Sequence, residues 1–290
     1  MNRITASRLS ALGKCRSIAW LRQLVEPTSK YAEIGNAAHT YLETGVEQHD
    51  TFLEVPRFQR PEERTWAEVK HEWRFGWNFL DDTYVAVPMG KTGRDYDDYP
   101  ADAWVMGSAD AVWEDGGVLY VEDLKTGAPQ DAMCEQLVFL AHCAATAMKH
   151  TGDVSIQILN ATRYGYATDK KAAGKVSVSA HRMSVAVLGE HFSTMVRTPV
   201  LEALSLAGAG EDAWQAAASN GKNCFFCPSK AYCLKFRAKA TPKSLMYLDK
   251  LREAQEARQD GSKEQGDRNQ GSGQGDNGPD TGGHDGGGAG

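Results

Sequence analysis

Apolar and polar positions repeat with two different periods along this chain, and the changes of period mark its elements. Near the front, Ser7 to Leu24 reads as a helix with Ile18, Leu21 and Leu24 among its apolar positions. A second helix, from about Ile34 to Gln48, carries Ala38, Tyr41, Leu42 and Val46. Strand-like runs follow at Val69 to Phe79, Tyr84 to Val87, Trp104 to Trp113 and Val118 to Lys125. A helix over Asp131 to Lys149 leads to strands at Val154 to Asn160 and Val176 to Met183, and another long helix follows Ser184. A polar helix over Lys243 to Gln259 has a short stripe of Leu245, Leu248 and Leu251. Strands bracketed by helices predict an α/β domain with a central mixed sheet flanked by helices. From about Asp260 the pattern stops. Residues 261–290 hold 12 glycines and no aromatic, too little apolar surface to offset the entropy of ordering. The expectation is one domain over 1–259 and a disordered, Gly-rich acidic tail over 260–290.

Composition adds little that is specific. With 290 residues, 41% hydrophobic and 24% charged, the chain resembles an ordinary globular protein able to bury a core without staples. No run approaches the roughly 20 apolar residues of a membrane span, and Met1 to Thr5 starts no apolar signal region, so a cytoplasmic protein with no membrane partner is expected. The net charge is −6, but Leu251 to Gly290 contributes four Lys/Arg and eight Asp/Glu. The rest is therefore close to neutral, and charge neither supports nor excludes a nucleic-acid partner.

The most informative stretch runs from Gly107 to Gly127. Two apolar strands flank Asp115-Gly116-Gly117, a strong hairpin signal. Side chains alternate along a strand, so Leu119, Val121, Asp123 and Lys125 share one face, and Asp123 rather than Glu122 belongs with Lys125. If Gly116-Gly117 is the two-residue turn, Asp110 lies opposite Asp123. Two carboxylates that close repel unless a cation bridges them or one is protonated. Hard oxygen donors suit Mg²⁺ or Mn²⁺. Lys125, ending the apolar strand beside the pair, can orient or deprotonate a water attacking a phosphodiester. The plainer alternative is a surface hairpin whose charges face water.

The order Gly-x-x-Asp110, hairpin, Asp123-Leu124-Lys125-Thr-Gly resembles the PD-(D/E)XK nuclease superfamily, particularly its RecB-like branch. The resemblance implies a restriction-endonuclease-like core. It also implies metal ligation by His39, Asp110 and Asp123, with the Leu124 backbone carbonyl as a further ligand and Lys125 catalytic. The branch places a histidine on an upstream helix, where this chain has Gly35-Asn-Ala-Ala-His39. Taken alone, His39 reads as a surface or hydrogen-bonded helix residue. Of the branch's Gln-x-x-x-Tyr motif this chain keeps Gln136, which would contact substrate or the active lysine; Leu140 stands where the tyrosine is expected. Glu72, on an earlier strand, is a weaker candidate for the site, and the preferred reading is a solvated strand residue.

Cys224-Phe-Phe-Cys227-Pro-Ser-Lys-Ala-Tyr-Cys233 groups three thiols in a chain with no export signal, which points to Zn²⁺ or an iron–sulfur centre. Spacing leaves both open. The segment Ser7-Arg8-Leu9 to Cys15 is similar to the start of iron–sulfur RecB-like nucleases, CRISPR-associated exonucleases among them. That likeness implies a [4Fe–4S] cluster on Cys15, Cys224, Cys227 and Cys233, with zinc as the alternative. Such a centre would tie the two ends of the domain together structurally. Cys134 and Cys143 read as free, mostly buried thiols.

Gly90-Lys91-Thr92 is not a P-loop, because Val85 stands where the first glycine is required, and no nucleophile elbow is present. Trp66, Trp73, Trp77 and Trp104 read as core. Two function classes remain. The first is a metal-dependent exonuclease acting on single-stranded or end-processed DNA in recombination, replication or repair, with a helicase, recombinase or single-strand-binding protein as companion. The second is a non-catalytic, metal-stapled DNA-binding or assembly module, which would not require Asp110, Asp123 and Lys125 to be aligned. An iron–sulfur redox protein is a third.

Overall fold

The computed structural model describes residues 4–21, 30–44, 69–87, 104–161, 176–219, 224 and 227–270. Among these, seven strands form one mixed sheet: β1 (Ile4–Thr5), β2 (Lys70–Asn78), β3 (Thr83–Val87), β4 (Trp104–Asp115), β5 (Val118–Lys125), β6 (Asp153–Ala161) and β7 (Val176–Ser184). The helices are α1 (Leu9–Lys14), α2 (Lys30–Thr44), α3 (Glu135–Met148), α4 (Val185–Phe192), α5 (Thr198–Leu204), α6 (Gly210–Ala217), α7 (Leu234–Arg237) and α8 (Pro242–Gln270). The strand order is β3-β2-β4-β5-β6-β7, with β1 added alongside β4. The architecture is the expected α/β fold with a mixed sheet.

The long strand β4 organises the site. Along one side it pairs antiparallel with β2. On the other, Ala111 to Asp115 pair with β5, whereas Val105 and Met106 pair with β1, in parallel. Between those two partners, at Gly107 to Asp110, the sheet parts. The turn joining β4 to β5 has Gly116 at φ 56° and Gly117 at φ 75°, the two positive values a tight I′ hairpin turn demands. Asp115 pairs with Val118 and Ala111 with Glu122, so continuing the ladder by one step sets Asp110 opposite Asp123, in the register the glycines predict.

From β5 the chain passes through α3 into β6, which lies parallel to β5. Parallel neighbours need such a crossover, and it covers the sheet. Leu137, Leu140, Ala141 and Ala144 of α3 join Phe75, Trp77, Leu119, Val121, Ile156 and Ile158 in the main core. A smaller core unites Ile34, Ala38 and Leu42 of α2 with Leu124, Leu159 and Ala161. The four-residue spacing of Ile34, Ala38 and Leu42 makes the stripe that docks α2, and each large apolar side chain so buried contributes roughly 1.5–3 kcal/mol. Trp73 and Trp77 are core residues, as read; Trp66 lies outside the described residues, as do Gly90-Lys91-Thr92.

Several helices differ from the periodic expectation. The helix expected over Ser7 to Leu24 is interrupted: α1 ends at Lys14, Cys15 is extended at φ −150°, and a 3₁₀ turn covers Arg16–Ala19. The Arg16 guanidinium causes this end to be tolerated by donating to the Leu12 (2.7 Å) and Gly13 carbonyls, which the broken helix leaves open. Leu24, and 45–48 of the second expected helix, lie outside the described residues. The helix after Ser184 is likewise divided, with a π turn at Ser193–Arg197 between α4 and α5. Pro199 follows it and has no N–H to continue the regular ladder.

The chain divides into two compact units, Met1–Lys239 and Ala240–Gly290. In the second, α8 runs to Gln270, past the expected helix end at Gln259 and into the expected tail; 271–290 lie outside the described residues. Among the described residues no helix is long and apolar enough to cross a membrane.

Candidate active site

The site forms where β4 and β5 part, between α2 and the first turn of α3. Asp110 is almost fully buried there. Its Oδ2 accepts a hydrogen bond from the Leu124 backbone N–H at 2.5 Å, so a side chain takes the place of the interrupted ladder. Its Oδ1 lies 3.0 Å from Nδ1 of His39, which α2 brings over the sheet through the packing of neighbouring Ala38. Burial works against the charge of Asp110, but His39, the Leu124 N–H and Lys125 outweigh it and hold the carboxyl below its ordinary value. The same contacts act in reverse on His39. Burial disfavours the imidazolium, yet Asp110, Asp123 and Glu72 raise its pKa.

Asp123 is also buried, and it is clamped from two sides. Gln136 donates from Nε2 to Oδ1 at 3.0 Å, and Lys125 makes an ion pair with Oδ2. Lys125 in turn reaches the Gln136 amide oxygen at 3.4 Å, which closes a three-residue ring. Burial, followed by repulsion from Asp110, pushes the Asp123 carboxyl up to about 6 despite its lysine. Lys125 moves the other way: burial opposes its charge, but Asp123 outweighs it and raises the ammonium pKa. The arrangement is a pair of buried acids too close to be comfortable, each braced by a different cation.

All the residues expected here are brought together. Leu124 contributes its N–H to Asp110 and its side chain to the contact with α2. Gln136 sits in the first turn of α3, where it reaches Asp123 and Lys125 at once. For one residue the weaker of two readings fits better. Glu72, a weaker candidate read preferably as solvated, has its Oε1 3.9 Å from His39 Nδ1, and donor atoms of His39, Glu72 and Asp110 all lie within 4.8 Å of one another. Among the described residues this is the group of three or more His, Cys, Asp or Glu residues close enough to hold one ion; Asp123 adjoins it rather than completing it. Asn160, which sequence gave no reason to single out, lies opposite Lys125 in the β5–β6 register. Its amide bonds the Gln130 N–H (2.8 Å) and carbonyl (3.0 Å), pinning the loop that leads from Lys125 to α3.

The expected cysteine residues lie elsewhere in the first unit. Cys15, Cys224, Cys227 and Cys233 all line one cavity of about 480 Å³, together with Lys14, Ser219 and Lys230. The break after α1 delivers Cys15 to this wall. The Ser219 N–H donates to Cys15 Sγ at 3.4 Å, and Cys224 Sγ lies 3.6 Å from the Ser219 carbonyl. Burial raises the Cys227 thiol, and the other three cysteines add to the rise. No three of these sulfurs fall within 4.8 Å of one another. Cys143 is a free, buried thiol, as read, whereas Cys134 is half-buried at the N-cap of α3.

No protein-family model, curated protein or solved structure matches the chain.

Proposed function

We propose that this chain is a divalent-metal-dependent DNA exonuclease with a PD-(D/E)XK active site of the RecB-like kind. One arrangement carries the reading. Asp110 is held by His39 and Leu124 N–H, while Asp123, opposite in register, is clamped by Lys125 and Gln136. A solvated surface hairpin has no use for two buried acids of this kind. The order of elements, an antiparallel hairpin followed by a helix and a parallel strand, agrees with a restriction-endonuclease-like core.

The residues fit a divalent ion. His39 Nδ1 and Asp123 Oδ2 are buried atoms that complete no hydrogen bond of good geometry, although each is in close contact with a charged neighbour. Mixed imidazole and carboxylate donors suit Mn²⁺ at least as well as Mg²⁺. His39, Asp110, Asp123 and the Leu124 carbonyl are its assigned ligands. The bound ion supplies Lewis-acid activation of the scissile phosphate and a more acidic water. Lys125 keeps Asp123 aligned and presents positive charge to the phosphate, and Gln136 holds both side chains in one rotamer. In-line attack by water then leaves a 5′-phosphate and a 3′-hydroxyl.

The cysteine cavity is read as the seat of a [4Fe–4S] cluster. What supports a thiolate-held group is that the four cysteines line one cavity and that the Ser219 N–H is the kind of donor that stabilises a coordinated thiolate. The cluster would bind residue 15 to the 224–233 loop and make ligation energy part of folding energy.

The test is degradation of labelled linear and circular DNA by anaerobically purified protein with Mn²⁺ or Mg²⁺. Linear substrate is expected to disappear while circles persist, and Asp123→Ala and Lys125→Ala are expected to abolish the activity. Absence of degradation, or equal degradation by both variants, returns the chain to the class of non-catalytic DNA-binding or assembly modules.

A further inference from the structure

We infer that Glu72 is a fourth side-chain ligand of the divalent ion, beside His39, Asp110 and Asp123, an inference that rests on the metal-dependent reading of the same site. Glu72 lies within β2, yet its φ is 47°, a left-handed value that a non-glycine residue inside a strand rarely adopts. The ladder between β2 and β4 registers this. His71 pairs with Ala111 and Trp73 with Ala109, but the rung between them, Glu72 with Asp110, is missing. His71 compensates from its side chain, with Nδ1 3.2 Å from the Asp110 carbonyl oxygen. The strand continues in the same register on both sides, so the distortion re-aims one side chain and leaves the sheet otherwise intact.

That side chain arrives at the ion-holding group. Glu72 Oε1 is 3.9 Å from His39 Nδ1 and shares with His39 and Asp110 a cluster of donor atoms within 4.8 Å. Charge balance points the same way. A metal ligand must be a neutral imidazole, so His39 contributes no charge when it ligates. Asp110, Asp123 and Lys125 then sum to −1, and a divalent ion would leave this poorly hydrated site at +1. Adding Glu72 brings the site to neutrality with one ion bound, the condition that burial favours. The local backbone inversion and the place of the Glu72 carboxylate in the ion-holding group therefore select the same residue, and the charge sum agrees with it.

The experiment is Mn²⁺ titration of the full chain, followed by the free-ion EPR signal, for the unaltered protein, Glu72→Gln, Glu72→Gly and Asp110→Asn. Glu72→Gln is expected to weaken Mn²⁺ binding at least tenfold, and Asp110→Asn to remove it. Glu72→Gly is expected to bind as weakly as Glu72→Gln but to melt at a higher temperature without metal, because glycine takes φ 47° freely. Glu72→Gln binding within twofold of the unaltered protein, while Asp110→Asn fails, overturns the Glu72 assignment and leaves the nuclease site standing. Failure of the unaltered protein to bind Mn²⁺ overturns both.

Discussion

Gly107 stands three residues before Asp110, at the first position of the Gly-x-x-Asp pattern, and its substitution offers a sharp test of how the site is built. A Cβ added there would meet Ala6 Cβ at 2.6 Å and Leu140 Cδ2 at 3.2 Å. The leucine methyl can rotate away. Ala6 cannot, because β1 before it is hydrogen-bonded to β4 through Ile4 with Val105 and Thr5 with Met106. Carbon atoms pack best about 3.5–4.0 Å apart, so Gly107→Ala must open a gap of roughly 1 Å. Such overpacking costs about 1–3 kcal/mol, offset by about 0.5–1 kcal/mol of reduced chain entropy. The net expectation is a loss of about 1–2 kcal/mol, or roughly 2–8 °C in Tm for a domain of this size. Urea unfolding followed by tryptophan fluorescence would measure it in a double-mutant cycle with Ala6→Gly. If Ala6 is the obstacle, the pair should show a favourable coupling of about 1 kcal/mol or more, and nuclease activity lost in Gly107→Ala should partly return. Additivity within about 0.5 kcal/mol, or an unaltered Gly107→Ala Tm, would refute the packing account of this glycine.

Other expectations concern the proposed ion site and the cysteine cavity. Asp123 titrates at about 6 in the folded protein, above its unfolded value of 3.8, so its protonated form contributes stability below about pH 4 that is lost as pH rises through 6. The raised His39 pKa has the same sign, its contribution being full below the unfolded value of 6.5 and lost as pH rises through the folded pKa. On the proposed metal reading the ion would displace both protons, so its gain in Tm should be larger at pH 8 than at pH 5.5 by thermal unfolding with and without Mn²⁺; an equal gain at both would contradict the proposed ligands. Gln136→Leu should slow cleavage about 10–100-fold while leaving Mn²⁺ affinity within a few-fold, since it braces the acid and the lysine without touching the ion. An unchanged rate would remove Gln136 from the machinery. Purified protein should be brown with absorbance near ~400 nm, and Cys15→Ser or Cys227→Ser should bleach it and lower Tm. Stoichiometric zinc without iron would replace the cluster assignment and leave the nuclease reading untouched.

Local rules were enough for the hairpin. Gly116-Gly117 defined the turn, and the two-residue period of β5 then separated Asp123 and Lys125 from Glu122. The same register set Asp110 across from Asp123, because a strand offers only two faces and one turn length. Periodicity likewise exposed the α2 stripe of Ile34, Ala38 and Leu42, and hence a helix able to carry His39 onto the sheet. The clustering of Cys224, Cys227 and Cys233 was plain from spacing.

What sequence could not show depends on contacts between distant segments. Glu72 follows ordinary strand alternation by its neighbours, and nothing in its identity announces a left-handed backbone. That conformation persists because β2 is held in register on either side and His71 satisfies the carbonyl left open. The break at Cys15 is similar: the segment has helical periodicity, but Arg16 caps Leu12 and Gly13 while its Nε binds Glu202 at 2.6 Å. Gly107 looks like part of a chemical motif until β1 and α3 are seen to press on it. Short-range period and turn chemistry thus determined which acids face the lysine. The parting of β4 from β5, the turning of Glu72 and the gathering of four cysteines around one cavity were decided only when remote segments packed together.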